Sequence, residues 1–124
     1  MFSHIMIGTN DLDKAKSFYD TVLGTLGVPP ARVDGHRIFY MTPNGIFSVS
    51  KPIDGQPATS ANGGTIGFAA SSPAVADAWH AAGVAAGGTA IEDPPGVREG
   101  SAGKLYLAYL RDPDGNKICA LHRM

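Results

Sequence analysis

The side chains best equipped for chemistry are one cysteine, Cys119, and four histidines, His4, His36, His80 and His122. A thiolate binds soft metals or attacks electrophiles, and an imidazole serves as ligand, acid or base. His36, His80 and His122 show no metal-ligand spacing, and His80 sits beside Trp79 in a helical pattern. A free thiol, with a pKa near ~8.5, is mostly protonated at neutral pH unless a cation lowers it. Cys119 therefore also reads as a small buried apolar residue. A single cysteine excludes an intrachain disulfide and every CxxC zinc motif. Arg98, Lys104 and Arg111 could meet an anionic ligand or solvate the surface, and Arg111 could brace the following turn through Asp112 or Asp114. Phe39, Tyr40, Phe47, Tyr106 and Tyr109 could line a pocket, although strand parity assigns at least half of them to plain core.

The chain that must position these groups has 124 residues, 44% hydrophobic and 17% charged, with a formal net charge of −1. That excludes a disordered tail and suits one domain with a real core. No basic block stands out, so nucleic-acid binding has little electrostatic support. Apolar runs stop well short of the ~20 residues of a membrane span, and the first residues lack the pattern of a signal peptide. The expectation is a soluble, cytoplasmic protein with neither nucleic acid nor membrane as partner. The 16 glycines and 9 prolines are scattered, so they read as turns between short elements.

Residues 2–9 alternate as a strand, with Ser3, Ile5 and Ile7 on one face and Phe2, His4 and Met6 on the other. Asn10 or Asp11 caps a helix to about residue 26, with Leu12, Ala15, Phe18, Tyr19, Val22, Leu23 and Leu26 on its apolar face. Gly27 and Pro29-Pro30 end it. Residues 35–41 and 46–50 are strands about a Thr42-Pro43-Asn44-Gly45 turn, and 51–64 read as a link. A second strand, 65–70, precedes a helix opened by Ser72-Pro73 and reaching about residue 86. Its predicted inward face is Val75, Ala78, Trp79, Ala82 and Ala86, with Gly83 weakening the middle. A short strand at 90–92, a Gly/Pro/Ser loop at 93–104, and strands at 105–111 and 116–122 about Asp112-Pro113-Asp114-Gly115 complete the chain.

The two halves repeat. A shift of 61 residues carries Ile5 onto Ile66, Ile7 onto Phe68, Ala15 onto Ala76, Phe18 onto Trp79 and Gly27 onto Gly88. The two hairpin turns match at an offset of 70, the extra residues falling in the 93–104 loop. Two matched units in one short chain imply duplication and a sheet built from two like halves. Residues 2–51 and 64–122 should then share one strand order within a single domain spanning 1–124, with 52–63 as linker.

At this point the chain resembles the vicinal oxygen chelate superfamily, the glyoxalase/bleomycin-resistance/dioxygenase proteins. Ser3-His4-Ile5-Met6-Ile7-Gly8, then Asp11-Leu12-Asp13-Lys14-Ala15 and Phe18-Tyr19, look like its first strand and helix. Asn62-Gly63-Gly64-Thr65-Ile66-Gly67-Phe68 looks like the start of its second module, and Arg111-Asp112-Pro113-Asp114-Gly115-Asn116 like its closing hairpin. The resemblance implies an α+β fold, two tandem βαββ modules forming a cupped mixed sheet around a cavity, usually with a divalent metal.

In that family one ligand comes from the first and last strand of each module. The matching positions here are His4, Ser48 or Val49, Thr65 and Cys119. Metal-bearing members usually have His where Thr65 stands and Glu where Cys119 stands, so only His4 keeps a standard ligand. Strand alternation still sets His4 opposite Ile5 and Ile7, Thr65 opposite Ile66 and Phe68, and Cys119 opposite Ile118 and Ala120. The expected pocket is His4, Thr65, Cys119, Phe47, Tyr40 and Tyr106. No cofactor is expected; any divalent ion should be zinc before Mg²⁺, Mn²⁺ or Fe²⁺, held by His4 and Cys119. The resemblance implies a homodimer that binds or sequesters a small organic molecule, as in the bleomycin-resistance branch. The alternative is a metal-dependent lyase, isomerase or dioxygenase with unusual ligands.

Overall fold

The computed structural model describes residues 1–124. The elements run β1 (His4–Gly8), α1 (Leu12–Gly24), β2 (Arg32–Asp34), β3 (Arg37–Thr42), β4 (Gly45–Ser50), β5 (Ile66–Ala69), α2 (Pro73–Ala85), β6 (Thr89–Ala90), β7 (Gly96–Gly100), β8 (Gly103–Arg111) and β9 (Lys117–Arg123). The helix starts are those the cap chemistry demands. Asp11 accepts from the Lys14 N–H, and Ser72 accepts from the Val75 N–H ahead of Pro73. Gly27 stops α1 at a φ of +83° that other residues avoid. No helix is long and apolar enough to cross a membrane.

Two open sheets form rather than one continuous sheet. Their orders are β1-β4-β3-β2 and β5-β9-β8-β6. In each, the first strand pairs in parallel with the last, and the remaining pairs are antiparallel. The two units thus share one strand order. β6 and β7 together occupy the place of β2, pairing with opposite ends of β8.

Two expectations need correction. The 93–104 segment is not a loop throughout, because Gly96–Gly100 folds back on β8. This edge strand is held by its main-chain ladder and has one large apolar side chain, Val97, which is 48% exposed. It therefore lacks the alternating apolar signature of a strand. The buried line of α2 is Ala76, Trp79 and Gly83, while Ala78 is exposed. Gly83 packs against Leu110 of β8 and Val22 of α1 at a distance no larger side chain permits.

One buried cluster draws Phe18, Tyr19 and Val22 of α1, Trp79 of α2, and inward residues of both sheets together. Asp20 ties α1 to its own sheet by accepting from the Tyr40 hydroxyl and the Ala31 N–H. Burial works against its charge, but these bonds and Lys16 outweigh it and hold the carboxyl below its ordinary range.

Candidate functional site

Register decides which side chains share a face. The rungs Ile5–Phe47–Tyr40 and Ile7–Val49–Ile38 lie on the helix side of the first sheet. The rungs His4–Ile46–Met41, Met6–Ser48–Phe39 and Gly8–Ser50–Arg37 lie on its other face. In the second sheet, Ile66–Ile118–Leu110 and Phe68–Ala120–Ala108 face the helices, and Gly67–Cys119–Tyr109 lies opposite. His4 and Cys119 thus both occupy helix-free faces, but of two separate sheets.

A cavity of about 600 Å³ opens where the last turn of α1, the β3–β4 turn and the edges of β1 and β5 converge. Leu23, Leu26, Ile5, Phe47 and Phe68 make it apolar, and His4 is part of its wall. Phe47 and Phe68 meet edge to face with centroids 5.2 Å apart, joining the two sheets across it. Tyr40 also lines it, although its hydroxyl is turned to Asp20 at 2.8 Å. Burial first, and then Asp20, push that phenol far above its usual range, so it stays neutral.

Of the expected pocket residues, His4, Tyr40 and Phe47 line this cavity, whereas Thr65, Cys119 and Tyr106 do not. His4 is exposed, with Nδ1 2.8 Å from the Ser3 hydroxyl. Thr65 is exposed and directly precedes β5. Tyr106 donates to Asp77 of α2 at 2.7 Å. Cys119 is 5% exposed, and Gly67 leaves room for it, since a Cβ there would stand 3.3 Å from Sγ. Burial pushes the Cys119 thiol up more strongly than Lys117 draws it down, which leaves it protonated at neutral pH and a poor nucleophile.

The donor positions do not fit a resident divalent ion within one chain. No three His, Cys, Asp or Glu side chains come close enough to hold one. The buried Ser48 hydroxyl donates to the Ile38 carbonyl at 2.9 Å, and Val49 is fully buried in the core. The suggested cations are also engaged. Arg98 donates to the Asp93 and Pro94 carbonyls, Lys104 pairs with Glu99, and Arg111 donates to the Gly115 carbonyl rather than to Asp112 or Asp114. Arg37, in contrast, has no carboxylate partner, and sequence reading passed over it because a lone arginine in a strand carries no pattern.

Two βαββ-type units with matching strand order and an apolar cavity between them define a two-module α+β fold. The profile of the Glyoxalase/Bleomycin resistance protein/Dioxygenase superfamily matches residues 1–120, so the chain belongs to that superfamily. It is similar to the crystal structure of a glyoxalase/bleomycin resistance protein from Albidiferax ferrireducens, with 63% identity, 98% of each chain covered and a TM-score of 0.97. Two more distant structures share the fold. One is a glyoxalase/bleomycin resistance protein/dioxygenase family enzyme from Burkholderia phytofirmans, with 19% identity, 98% of each chain covered and a TM-score of 0.75. The other is a lactoylglutathione lyase from Agrobacterium tumefaciens, with 22% identity, coverage of 98% of this chain and 92% of that one, and a TM-score of 0.68. No curated protein matches the sequence.

Proposed function

We propose that this chain binds a small, largely apolar organic molecule in the cavity beside His4 and holds it without turning it over. One observation carries this reading: an apolar space of about 600 Å³ coexists with metal positions that retain His4 as their one standard ligand. A space of that size suits a small-molecule ligand. A hard ion on one imidazole and waters gains little over its aqueous state. We accordingly propose no tightly held Mg²⁺, Mn²⁺ or Fe²⁺, and at most weak Zn²⁺ on His4, because Cys119 belongs to the other sheet.

Protein stripped with chelator should bind the neutral dye N-phenyl-1-naphthylamine with one-site saturation. Leu26→Trp, which fills the cavity wall, should weaken that binding at least about tenfold, as one lost pocket contact of ~1.4 kcal/mol would. Binding unaffected by this substitution would sink the cavity reading. One tight metal per chain, lost on His4→Ala, would instead favour the alternative of a metal-dependent lyase, isomerase or dioxygenase.

A homodimer and residence in the cytoplasm belong to the same proposal. β1 and β5 each have one unpaired edge, and Phe2 and Met6 are 68% and 44% exposed on or beside β1. Such an edge favours a partner strand or face. Sedimentation at tens of micromolar should give a species of twice the 12.9 kDa chain mass, and a purely monomeric boundary would refute this.

A further inference from the structure

A second cleft, of about 560 Å³, lies at the opposite end of the helix-free face of the first sheet, beneath the segment that follows β4. Gly8, Ser50 and Arg37 form one rung of that face, and Met6 stands on the next. The covering segment is held down by Lys51, whose N–H donates to the His36 carbonyl at 3.1 Å, and by Asn10. The Asn10 side chain accepts from the Ala58 N–H at 2.7 Å and donates to the Ala58 carbonyl at 3.3 Å. Gly8 permits the approach, since a Cβ there would come within 3.0 Å of the Ala58 Cβ. Pro52, Ile53 and Pro57 give the cleft an apolar wall.

Arg37 opens into this cleft without a salt-bridge partner, and its Nε is buried from solvent with no hydrogen-bond acceptor. A buried donor on a permanent cation is costly to leave unpaired. Lys51, next along the chain from Ser50, lines the same cleft and likewise has no carboxylate within salt-bridge distance. The one acidic residue in the lining, Asp54, accepts from the Gln56 N–H at 2.9 Å. Two cations therefore face one carboxylate in this open cleft, within a protein whose net charge is −1.

We propose that this cleft is an anion-binding site, with Arg37 and Lys51 taking the carboxylate of a small organic acid and Met6 and the prolines its apolar part. A guanidinium presents parallel donors that match a carboxylate. The site shares β1, β3 and β4 with the cavity beside His4 but no lining residue, and it does not rest on the function proposed for that cavity.

The test uses the whole protein and the Arg37 Nε–Hε resonance, which a merely structural arginine would not move on titration. Benzoate should shift that resonance saturably, and binding should weaken as salt rises. Sodium chloride at equal ionic strength should give no comparable shift. Arg37→Gln and Lys51→Gln should each reduce benzoate affinity about tenfold or more, the loss of one charge-assisted hydrogen bond. Lys51 is exposed, so its substitution reports even if Arg37→Gln proves unstable. No saturable shift with benzoate, or full affinity in Lys51→Gln, overturns the site. Inorganic phosphate binding as tightly as benzoate overturns the assignment to an organic acid.

Discussion

Asp112→Ala should lower the stability of this protein by about 3–5 kcal/mol, an exceptional loss for one substitution. The residue is 4% exposed and its carboxylate takes four hydrogen bonds. The Tyr19 hydroxyl donates at 2.6 Å, and Asn116 Nδ2, the Asn116 N–H and the Asp114 N–H each donate at 2.9 Å. Alanine would strand these donors in the interior, each at about 1–3 kcal/mol if unrelieved. The damage would also spread between the two units. Asp114 receives the Thr9 hydroxyl and the Asn10 N–H, and Asn116 donates to the Gly8 carbonyl. The β8–β9 turn is therefore a clasp on the β1–α1 junction. Thermal unfolding should fall by roughly 10–20 °C, at about 4 °C per kcal/mol for a chain of this size. A loss below about 1 kcal/mol would show that the clasp is dispensable.

The phenol end of the clasp adds a pH dependence. Burial first, and then Asp112, push the Tyr19 phenol well above its ordinary range. An acid whose folded pKa is raised favours the native state fully below its unfolded pKa, and that contribution is lost as pH rises past it. Stability should therefore decline above pH about 10, and Tyr19→Phe should make that decline shallower.

Gly83→Ala should destabilise, against the usual direction for a helix. At an open site in the middle of a helix, alanine gains up to about 1 kcal/mol over glycine. Here the added Cβ would lie 2.2 Å from Leu110 Cδ1 and 3.3 Å from Val22 Cγ1. Both neighbours are fully buried, so neither can swing into solvent. Overpacking of this kind costs about 1–3 kcal/mol. Gly24→Ala, at the end of α1 with nothing within 4 Å of the new Cβ, supplies the contrast and should be neutral or stabilising. If both substitutions raised the melting temperature alike, the close approach of α2 to α1 and β8 would not be limiting.

These two sites separate what neighbours in the chain dictate from what distant ones decide. The caps at Asp11 and Ser72-Pro73, the stop at Gly27 and the Asp112-Pro113-Asp114-Gly115 turn are all legible in the sequence, because each depends on residues a few positions away. The internal repeat is legible too, and with it the shared strand order, because like segments with like periodicity pair alike. The turn reads as a turn, but nothing local says that its first aspartate receives a hydroxyl from Tyr19. Gly83 reads as a weak point in a helix, because propensity measures the helix alone and not the leucine across from it.

The candidate sites divide in the same way. Alternation alone places His4 and Cys119 on the faces opposite the apolar ones, and the register agrees. Their distribution over two separate sheets is a long-range matter that alternation does not carry. So are the burial of Cys119 and the engagement of Arg98, Lys104 and Arg111. Arg37 became conspicuous only when folding enclosed its Nε and brought no carboxylate to it. By itself the sequence determined both helices, most strands, their repetition and the family, since these follow from local sterics and hydrophobic period, whereas the edge strands β2 and β7 depend on the ladder partner that folding supplies. The tertiary structure decided which charges are paired, which glycines are contacts and where the cavities open, since those depend on chain segments that meet only when the two units pack.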